Sequence, residues 1–315
     1  MAVYRSVDEL IGGTPTLDVS RLSPNPSVEL YAKLEGQNPT GSVKDRVALA
    51  MLDRAEAEGR LEPGSVVIEP SSGNTGIALA MLGQRRGYRV KIVLPGNVTA
   101  ERRQMLEIFG AEIIASPAEQ GSNGAVRLAL ELAAANPDWT MLYQYGNEAN
   151  PEVHYRTTGP EIVADVPGIT HFVAGLGTSG TLLGAGRYLK EHEPGVQVWA
   201  VEPPAGEQVE GLRSLDDGYV PPIFEQWGGV DLLDRKMIVR PRESIEATRM
   251  LAAEGVFSGI SGGAALAGAR KAAARIDEGV IVFVVSDHGW KYLSVGAWTD
   301  DLDAAAAQAE NVIYF

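Results

Sequence analysis

The side chain with the clearest chemical potential in this sequence is that of Lys44. It lies in the segment 38–46, which reads NPTGSVKDR. Proline and glycine predict a turn, and Ser42 with Asp45 three residues later has the spacing of a capping box, so we expect a helix to begin here. Positive dipole charge at a helix N-terminus favours the free amine, the form that attacks an aldehyde. Taken alone, however, a lysine in a first helical turn is usually a solvated surface residue.

The segment 70–76, PSSGNTG, gives Lys44 a chemical context. It follows a short β-branched strand at 65–69 and precedes a helical pattern at 77–82. Glycines let the backbone approach a ligand, and neutral donors at a helix N-terminus form a carboxylate site without a permanent positive charge. An ordinary capped turn explains one serine and one glycine. It does not explain four hydrogen-bonding side chains in five positions, namely Ser71, Ser72, Asn74 and Thr75.

The segment 175–181, GLGTSGT, has the pattern of a phosphate cradle. It follows a predicted strand at 171–174 and opens a helix that runs from Leu182 to about Glu191. A glycine-rich loop at a helix N-terminus binds phosphate, and the hydroxyl side chains of this segment add donors. The same glycines fit a dinucleotide fingerprint, and the next predicted strand ends at Glu202, where a ribose ligand is expected. A nicotinamide-dependent oxidoreductase is therefore an alternative of a different class.

The three segments, in this order, resemble the motifs of the cysteine synthase and cystathionine β-synthase family, which are fold-type II pyridoxal phosphate enzymes. The segment 259–264, GISGGA, matches the cofactor-ring region of that family, and 287–294, DHGWKYLS, matches its C-terminal signature loosely. The resemblance runs from about Ile11 to Trp298. It implies an α/β fold like that of the tryptophan synthase β subunit, with parallel sheets covered by helices and an active site between two domains. The smaller domain would span residues 36–145, and the larger would combine 1–35 with 146–315.

The resemblance also implies a role for each site residue. Lys44 would form the internal aldimine with pyridoxal 5'-phosphate and then remove the α-proton of an amino-acid substrate. Asn74 would bond the ring hydroxyl, and Ser261 would face the pyridine nitrogen. The cofactor phosphate would be held by Gly177, Thr178, Ser179, Gly180 and Thr181. The substrate carboxylate would be bound by Ser71, Ser72, Thr75 and Gln144.

The neutral hydroxyl of Ser261 indicates the type of reaction. A carboxylate at this position would keep the pyridine nitrogen protonated and would stabilise a full carbanion, whereas a hydroxyl leaves the ring a weaker electron sink. Loss of a β-leaving group is then favoured over transamination or racemisation. The expected intermediate is an α-aminoacrylate, which a sulfur nucleophile attacks to give L-cysteine.

Arg213 indicates the leaving group. The stretch 206–221 resembles that of the O-phosphoserine sulfhydrylase branch, in which an arginine at this position binds the substrate phosphate; 136–137, 143–147 and 290–292 point to the same branch. An arginine fork suits a phosphate dianion, while a neutral acetyl ester gains nothing from it. The alternative is a surface arginine paired with Asp216 or Asp217. O-acetylserine sulfhydrylase, other β-replacements such as cystathionine β-synthesis, and a non-catalytic scaffold remain alternative functions.

The amino-acid composition limits which classes of function are possible. The chain has 315 residues, 45% hydrophobic and 22% charged, which is typical of a soluble globular protein. It has no cysteine, its four histidines lack ligand spacing, and no disulfide or metal site is expected. The net charge of −14 argues against non-specific nucleic-acid binding. The chain shows no membrane span or signal-peptide core, so we expect a cytoplasmic protein.

Three expectations about partners follow from the resemblance. The family is usually homodimeric. The branch can use either sulfide or a thiocarboxylated small carrier protein as sulfur donor. The aromatic tail at 311–315, NVIYF, would be a lid over the site or a partner contact, although a frayed terminus is the more common fate of chain ends.

Short apolar strands alternate with amphipathic helices along the sequence, which predicts parallel sheets covered by helices. We predict strands at 29–34, 66–69, 90–94, 112–115, 172–174, 196–201 and 280–285. We predict helices at 43–58, 75–86, 100–109, 124–135, 151–165, 181–192, 241–254, 262–276 and 300–310. The segment 202–234 is rich in proline, glycine and acidic residues, and a connection of this length usually has a function or is mobile.

Overall fold

The computed structural model describes residues 3–311 and consists of strands and helices in alternation. The strands are β1 (Thr16–Asp18), β2 (Val28–Leu34), β3 (Val66–Pro70), β4 (Arg89–Pro95), β5 (Glu112–Ser116), β6 (Trp139–Met141), β7 (His171–Gly175), β8 (Gln197–Glu202), β9 (Arg235–Ile238) and β10 (Gly279–Val285). The helices are α1 (Lys44–Ala57), α2 (Asn74–Arg86), α3 (Ala100–Ile108), α4 (Gly121–Ala135), α5 (Ala149–Val153), α6 (Gly159–Asp165), α7 (Gly180–His192), α8 (Pro222–Gln226), α9 (Pro241–Ala253), α10 (Ile260–Ala273) and α11 (Leu302–Asn311).

The strands form two sheets. One has six strands in the order β1-β2-β10-β7-β8-β9, and the other has four in the order β5-β4-β3-β6. All neighbouring strands are parallel except β1 and β2, which are antiparallel. Parallel strands need helical crossovers, and these helices cover the sheets. The predicted α/β class is therefore confirmed. The four strands of the smaller sheet lie inside 36–145, the bounds that remain our prediction for the smaller domain.

The alternation of side chains along β10 explains why the larger sheet is covered on both faces. Ile281 and Phe283 pack in one apolar cluster with α9 and α10, whereas Val282 and Val284 pack in another with α7. Successive side chains of a strand point to opposite faces, so a continuous apolar run requires a layer on each side. α10 lies so close to α9 that a Cβ at Gly263 would stand 2.0 Å from Thr248 Oγ1.

The strands that sequence patterns missed are short edge strands. β1, β6 and β9 have three, three and four residues, and each lies at the end of its sheet. Edge strands face solvent along one side, so these segments carry little of the apolar signal that marks the buried strands.

The helix predicted at 151–165 is divided. α5 is followed by a π-helical turn, His154–Thr158, and then by α6. Such π turns occur frequently at functional sites. No helix among residues 3–311 is both long and apolar enough to cross a membrane. The aromatic tail proposed as a lid lies outside the described residues, apart from the backbone of Asn311.

Candidate active site

A cleft lies where loops from the two sheets meet. Several of its loops follow the carboxyl ends of parallel strands, the usual place for a ligand in an open α/β sheet. It brings together all the predicted site residues except Arg213: Lys44, Ser71, Ser72, Asn74, Thr75, Gln144, Gly177, Thr178, Ser179, Gly180, Thr181 and Ser261.

Lys44 is the first residue of α1 and is half-buried in this cleft. Burial lowers the pKa of its amine to about 8, and the negative charges of Asp287 and Glu210 oppose part of that shift. Loss of hydration disfavours ammonium, so the free amine is accessible near neutral pH. Lys44 is therefore not a solvated surface lysine.

The capping box predicted at the start of α1 is wrong. Val43 occupies the N-cap position, and the Asp45 carboxylate accepts hydrogen bonds from the backbone N–H of Thr40, at 2.7 Å, and from the Thr40 hydroxyl. Ser42 Oγ accepts only the N–H of Lys44, at 3.3 Å. The backbone of Ser42 forms a β-bridge with Asp287. Helix α1 begins close to its predicted start, but the contacts there are made by Asp45 and Thr40 and not by a cap at Ser42.

The loop from Ser71 to Thr75 is shaped by its own hydroxyl groups. Ser71 Oγ accepts the N–H of Gly73 at 3.1 Å and the N–H of Gly76 at 3.0 Å, which leaves its own hydrogen for another acceptor. Thr75 Oγ1 donates to Gln144 Oε1 at 2.7 Å, and this bond joins two predicted carboxylate-binding residues. The donors are positioned before any ligand arrives.

Glu69 holds Gln144 in place, although Glu69 was not among the site residues predicted from the sequence. Its fully buried carboxylate accepts the N–H of Tyr143 at 2.7 Å and the N–H of Gln144 at 2.8 Å. Tyr143 has φ of +58°, an uncommon value for a bulky residue, so the turn needs such support. Burial raises the pKa of Glu69 to about 7. The sequence did contain one sign of this role, which is a glutamate near the end of an otherwise apolar strand.

The segment Gly177–Thr181, here called the phosphate loop, presents neutral donors at the N-terminus of α7. Ser179 has φ of +74°, and its buried Oγ has no hydrogen-bond partner among the described residues. Asn150 Nδ2 donates to Thr178 Oγ1 at 3.0 Å, and a Cβ at Gly180 would stand 1.9 Å from Asn150 Oδ1. Helix N-terminal N–H groups with an unpartnered hydroxyl suit a phosphate group.

His154 supports the phosphate loop from the π-helical turn. Its Nε2 lies 3.1 Å from Thr181 Oγ1 and its Nδ1 lies 2.9 Å from Thr158 Oγ1. Burial holds the pKa of His154 well below its usual value, so the ring is neutral. This role of His154 could not be predicted from the sequence, because its partners Thr181 and Thr158 lie on two different helices.

Beside Lys44 lies a buried group that we call the charged cluster, defined by Arg102, Glu210, Asp287, Lys291 and Tyr292. Arg102 Nη2 donates to Glu210 Oε1 at 2.6 Å, with side-chain exposures of 1% and 4%. The hydroxyl of Tyr292 lies 2.8 Å from Glu210 Oε1 and also contacts Asp287. Two cations and two carboxylates thus balance one another next to the cleft.

The charged cluster fixes the amide of Asn74. Asn74 Nδ2 donates to Asp287 Oδ2 at 2.8 Å, and Lys291 Nζ donates to Asn74 Oδ1 at 2.6 Å. One hydrogen of the Asn74 amide remains to face the cleft. Asp287 and Lys291 lie in the loosely matching motif at 287–294, from which no individual role is predicted, and no sequence motif includes Arg102 or Glu210.

Arg213 does not line the cleft but the cavity next to it, and Leu212 lines both. The guanidinium lies 4.6 Å from the ring centre of Tyr219, and Nη1 donates to Asn123 Oδ1 at 3.3 Å. Only 9% of the residue is exposed, so the alternative of a surface arginine is wrong. Arg213 thus lies beside the cleft, and its binding of the substrate phosphate stays a prediction.

Glu202, which the dinucleotide alternative requires, is fully buried and already engaged. Its carboxylate forms an ion pair with Lys236 Nζ at 2.7 Å and accepts the N–H of Leu215 at 3.0 Å. A ribose ligand would have to displace both. The cleft fits pyridoxal 5'-phosphate instead, because an amine of lowered pKa and a neutral phosphate loop with an unpartnered hydroxyl line the same space.

Comparisons with known proteins agree with this interpretation. Residues 7–287 match the family model described as pyridoxal-phosphate dependent enzyme. The chain is 41% identical over 298 residues to cysteine synthase B of Escherichia coli (strain K12), a match that covers 94% of this chain and 97% of that protein.

Solved structures show the same similarity. A crystal structure of O-ureido-L-serine synthase has a TM-score of 0.88 and 35% identity, covering 97% of this chain and 100% of that chain. An O-acetylserine dependent cystathionine beta-synthase from Helicobacter pylori has a TM-score of 0.86 and 33% identity, covering 93% and 98%. The chain belongs to the family of pyridoxal-phosphate-dependent enzymes that includes the cysteine synthases, and its cofactor is pyridoxal 5'-phosphate.

Proposed function

We propose that this protein forms L-cysteine by β-replacement on an activated L-serine, with O-phospho-L-serine as the preferred substrate. The observation that carries the proposal is the placement of Lys44, whose amine shares one cleft with the phosphate loop and the Ser71–Thr75 loop. When bound, the cofactor supplies an electron sink that acidifies the α-proton and lets a β-substituent leave. The similarity to cysteine synthase B supports the identity of the product.

Each group of residues has a proposed task in holding the cofactor. The phosphate loop binds its phosphate, Lys44 binds its aldehyde carbon, and the free hydrogen of the Asn74 amide is offered to its ring hydroxyl. Ser261 lies at the N-terminus of α10 in the same cleft. Its neutral hydroxyl would face the pyridine nitrogen. A neutral partner favours loss of a β-substituent.

The substrate carboxylate is proposed to bind to Ser71, Ser72, Thr75 and Gln144. The bond from Thr75 to Gln144 and the two N–H groups that orient Ser71 Oγ support this assignment. Preorganised neutral donors bind a carboxylate without holding a counter-charge that would compete with Lys44. Lys44, as a free amine, would then accept the α-proton.

We propose that Arg213 selects the phosphate leaving group from the neighbouring cavity. A buried guanidinium is the best single-residue partner for a phosphate dianion. The sulfur donor is sulfide or a thiocarboxylated carrier protein. The protein is proposed to be a cytoplasmic homodimer, with residues 36–145 as the smaller domain.

The test compares two substrates in the wild type and in Arg213→Ala. Losing a charge-assisted bidentate contact costs about 2–3 kcal/mol, so kcat/KM for O-phosphoserine should fall roughly 30- to 150-fold. The value for O-acetylserine, which has no phosphate, should change little. Arg127→Ala, on the exposed side of α4, is the matched control. Equal losses on both substrates in Arg213→Ala would remove Arg213 from leaving-group selection.

One observation favours a second candidate, O-acetylserine sulfhydrylase. Arg213 lines the neighbouring cavity rather than the cleft, and a neutral acetyl ester requires no cation in the cleft itself. A wild-type enzyme with a strong kcat/KM preference for O-acetylserine would select this candidate.

A further inference from the structure

The wall of the cleft offers many hydrogen-bond donors but a single carboxylate. Among the described residues, Glu210 is the only aspartate or glutamate that lines it, and the cations of the same lining are Lys44 and Arg102. An α-amino acid is a zwitterion, so in a buried site its ammonium group needs an acceptor just as its carboxylate needs donors. The proposed Ser71–Thr75 site accounts for the negative end of the substrate, which leaves the positive end to be assigned.

The carboxylate of Glu210 is engaged at one oxygen and open at the other. Oε1 accepts a hydrogen bond from Arg102 Nη2 at 2.6 Å and lies 2.8 Å from the Tyr292 hydroxyl. Oε2 is buried and has no hydrogen-bond partner among the described residues. An ionised carboxylate accepts about four hydrogen bonds, and a buried oxygen without a donor is costly. A donor bound in the cleft that Glu210 lines would remove this cost.

Arg102 places Glu210 on the side of the cleft that carries the Ser71–Thr75 loop. A Cβ at Gly73, in the middle of that loop, would stand 2.7 Å from Arg102 Cδ and 3.0 Å from its Nε. The far end of the same side chain donates to Glu210. In an α-amino acid the carboxylate and the ammonium are attached to one carbon, so their partners in a site must be neighbours. The Ser71–Thr75 loop and Glu210 are neighbours of this kind, because one side chain contacts both.

The charge of Glu210 already acts on a nitrogen in the cleft. Burial lowers the pKa of Lys44 to about 8, and the negative charges of Asp287 and Glu210 oppose that shift. Their field therefore reaches the amine although the cation of Arg102 lies beside Glu210. In the proposed reaction the substrate nitrogen takes the place of the Lys44 nitrogen, so an incoming ammonium experiences the same attraction. Of the two carboxylates, Glu210 lines the cleft.

We propose that Glu210 binds the α-ammonium group of the amino-acid substrate through Oε2 and thereby selects amino acids over carboxylates without nitrogen. This role deepens the proposed function and rests on it, because the proposed function makes the substrate an amino acid. It is independent of the leaving group and of the sulfur donor. Burial raises the pKa of Glu210, and the charge of Arg102 opposes that shift and favours the carboxylate form.

The experiment measures the Kd of the holoenzyme for L-alanine and for propionate by titration calorimetry. L-alanine has no leaving group, and propionate is the same skeleton without nitrogen. In Glu210→Gln the amide oxygen must accept from Arg102, so the amide N–H groups take the place of Oε2 and face the ammonium. We expect the Kd for L-alanine to rise roughly 10- to 150-fold and the Kd for propionate to change little.

A second variant and a control complete the comparison. Arg102→Met/Glu210→Leu removes the acceptor without stranding a buried charge, and it should also lose the preference for L-alanine over propionate. Glu207→Gln is the matched control, because Glu207 lies in the same loop after β8 and is half-buried, while its carboxylate pairs with Arg240. Both of its Kd values should equal those of the wild type. Thermal unfolding of each variant verifies that the fold is intact.

A comparison without Lys44 removes any contribution from the pKa of its amine. Lys44→Ala is titrated with L-alanine beside Lys44→Ala/Glu210→Gln, both loaded with the cofactor. The loss of L-alanine affinity caused by Glu210→Gln should be the same in this background as in the wild type. A loss that disappears in this background would mean that Glu210 acts through Lys44 alone, and the inference would be wrong.

The outcomes separate this inference from the proposed function. If the wild type prefers O-acetylserine while the Glu210 variants lose L-alanine and keep propionate, the role of Glu210 stands and the proposed substrate is wrong. If O-phosphoserine is preferred but Glu210→Gln binds L-alanine like the wild type, the role of Glu210 is wrong. Equal losses of both ligands also overturn the inference, because Glu210 then supports only the shape of the cleft.

Discussion

The phosphate loop lines the cleft and the charged cluster lies beside it, and the two regions contain opposite kinds of groups. The phosphate loop offers only backbone N–H groups and hydroxyls, steadied by the neutral His154. The charged cluster packs two cations against two carboxylates with almost no exposure. The phosphate loop is suited to bind an anionic group such as a phosphate. The second compensates its charges internally and acts on Lys44.

This difference explains how the cleft can hold an anion and still keep Lys44 reactive. A cation in the phosphate loop would bind phosphate, but its charge would also act on every proton transfer nearby. Neutral donors avoid that effect. Conversely, Asp287 and Glu210 limit how far burial lowers the pKa of Lys44, which stays near 8. Each region can be tested separately.

The largest effect is expected from Lys44→Ala. Without the amine no base is available for the α-proton, so turnover should fall at least about 10²- to 10⁴-fold. The phosphate loop remains, so the variant should still bind the cofactor non-covalently. Cysteine formation and cofactor retention after desalting measure the two properties, with Lys190→Ala as control. Near-normal turnover would remove Lys44 from its proposed role.

Breaking the charged cluster should cost stability. Arg102→Met leaves the carboxylate of Glu210 buried without its cation, a change that typically costs about 3–5 kcal/mol in free energy of unfolding. Urea unfolding of the apoprotein measures the loss. The double variant Arg102→Met/Glu210→Leu should recover most of it, because no buried charge is then stranded. A single variant as stable as the wild type would contradict the account of the cluster.

A smaller effect is expected in the phosphate loop. Ser179→Gly removes the unpartnered hydroxyl while glycine accepts the φ of +74°. Loss of one hydrogen bond to a charged group costs about 1.5–3 kcal/mol, so the Kd for the cofactor should rise roughly 10- to 150-fold. Ser294→Ala, which is exposed, is the control. An unchanged Kd would mean that Ser179 serves only the loop backbone.

The smallest effect is a pH shift. Lys44 is ammonium below its pKa and a free amine above it, so the rate at which the apoprotein takes up the cofactor covalently should rise with pH and reach its midpoint near 8. The Glu210 charge raises the pKa of Lys44. Glu210→Gln should therefore move the midpoint to lower pH. Stopped-flow absorbance gives the profile, and a midpoint that moves upward would contradict the assigned sign.

The individual loops of this cleft could be predicted from the sequence, because each loop is encoded by one continuous segment. A strand, a glycine-rich turn and a helix start are encoded within about ten residues, as in the phosphate loop and the Ser71–Thr75 loop. The charged cluster is different. Arg102 and Glu210 are 108 positions apart, and Asn74 and Asp287 are 213 apart. No local pattern records such pairs.

Other discrepancies have equally physical causes. The predicted capping box at Ser42 failed because the Asp45 carboxylate binds Thr40 instead, and Ser42 Oγ accepts the N–H of Lys44 rather than that of Asp45. Arg213 lies beside the cleft rather than in it, because its loop packs against the first turn of α4 and Tyr219. The short edge strands carry too little apolar pattern to be recognised.

The most direct test of the central claim is borohydride reduction of the yellow holoenzyme, followed by peptide mapping by mass spectrometry. We expect the pyridoxyl group on Lys44 alone and loss of the visible absorbance band. Lys291 is a demanding internal control, because its buried amine also lies at this site, 2.6 Å from Asn74 Oδ1. A pyridoxyl group on Lys291, or a colourless protein that gains no band on addition of pyridoxal phosphate, would contradict the account.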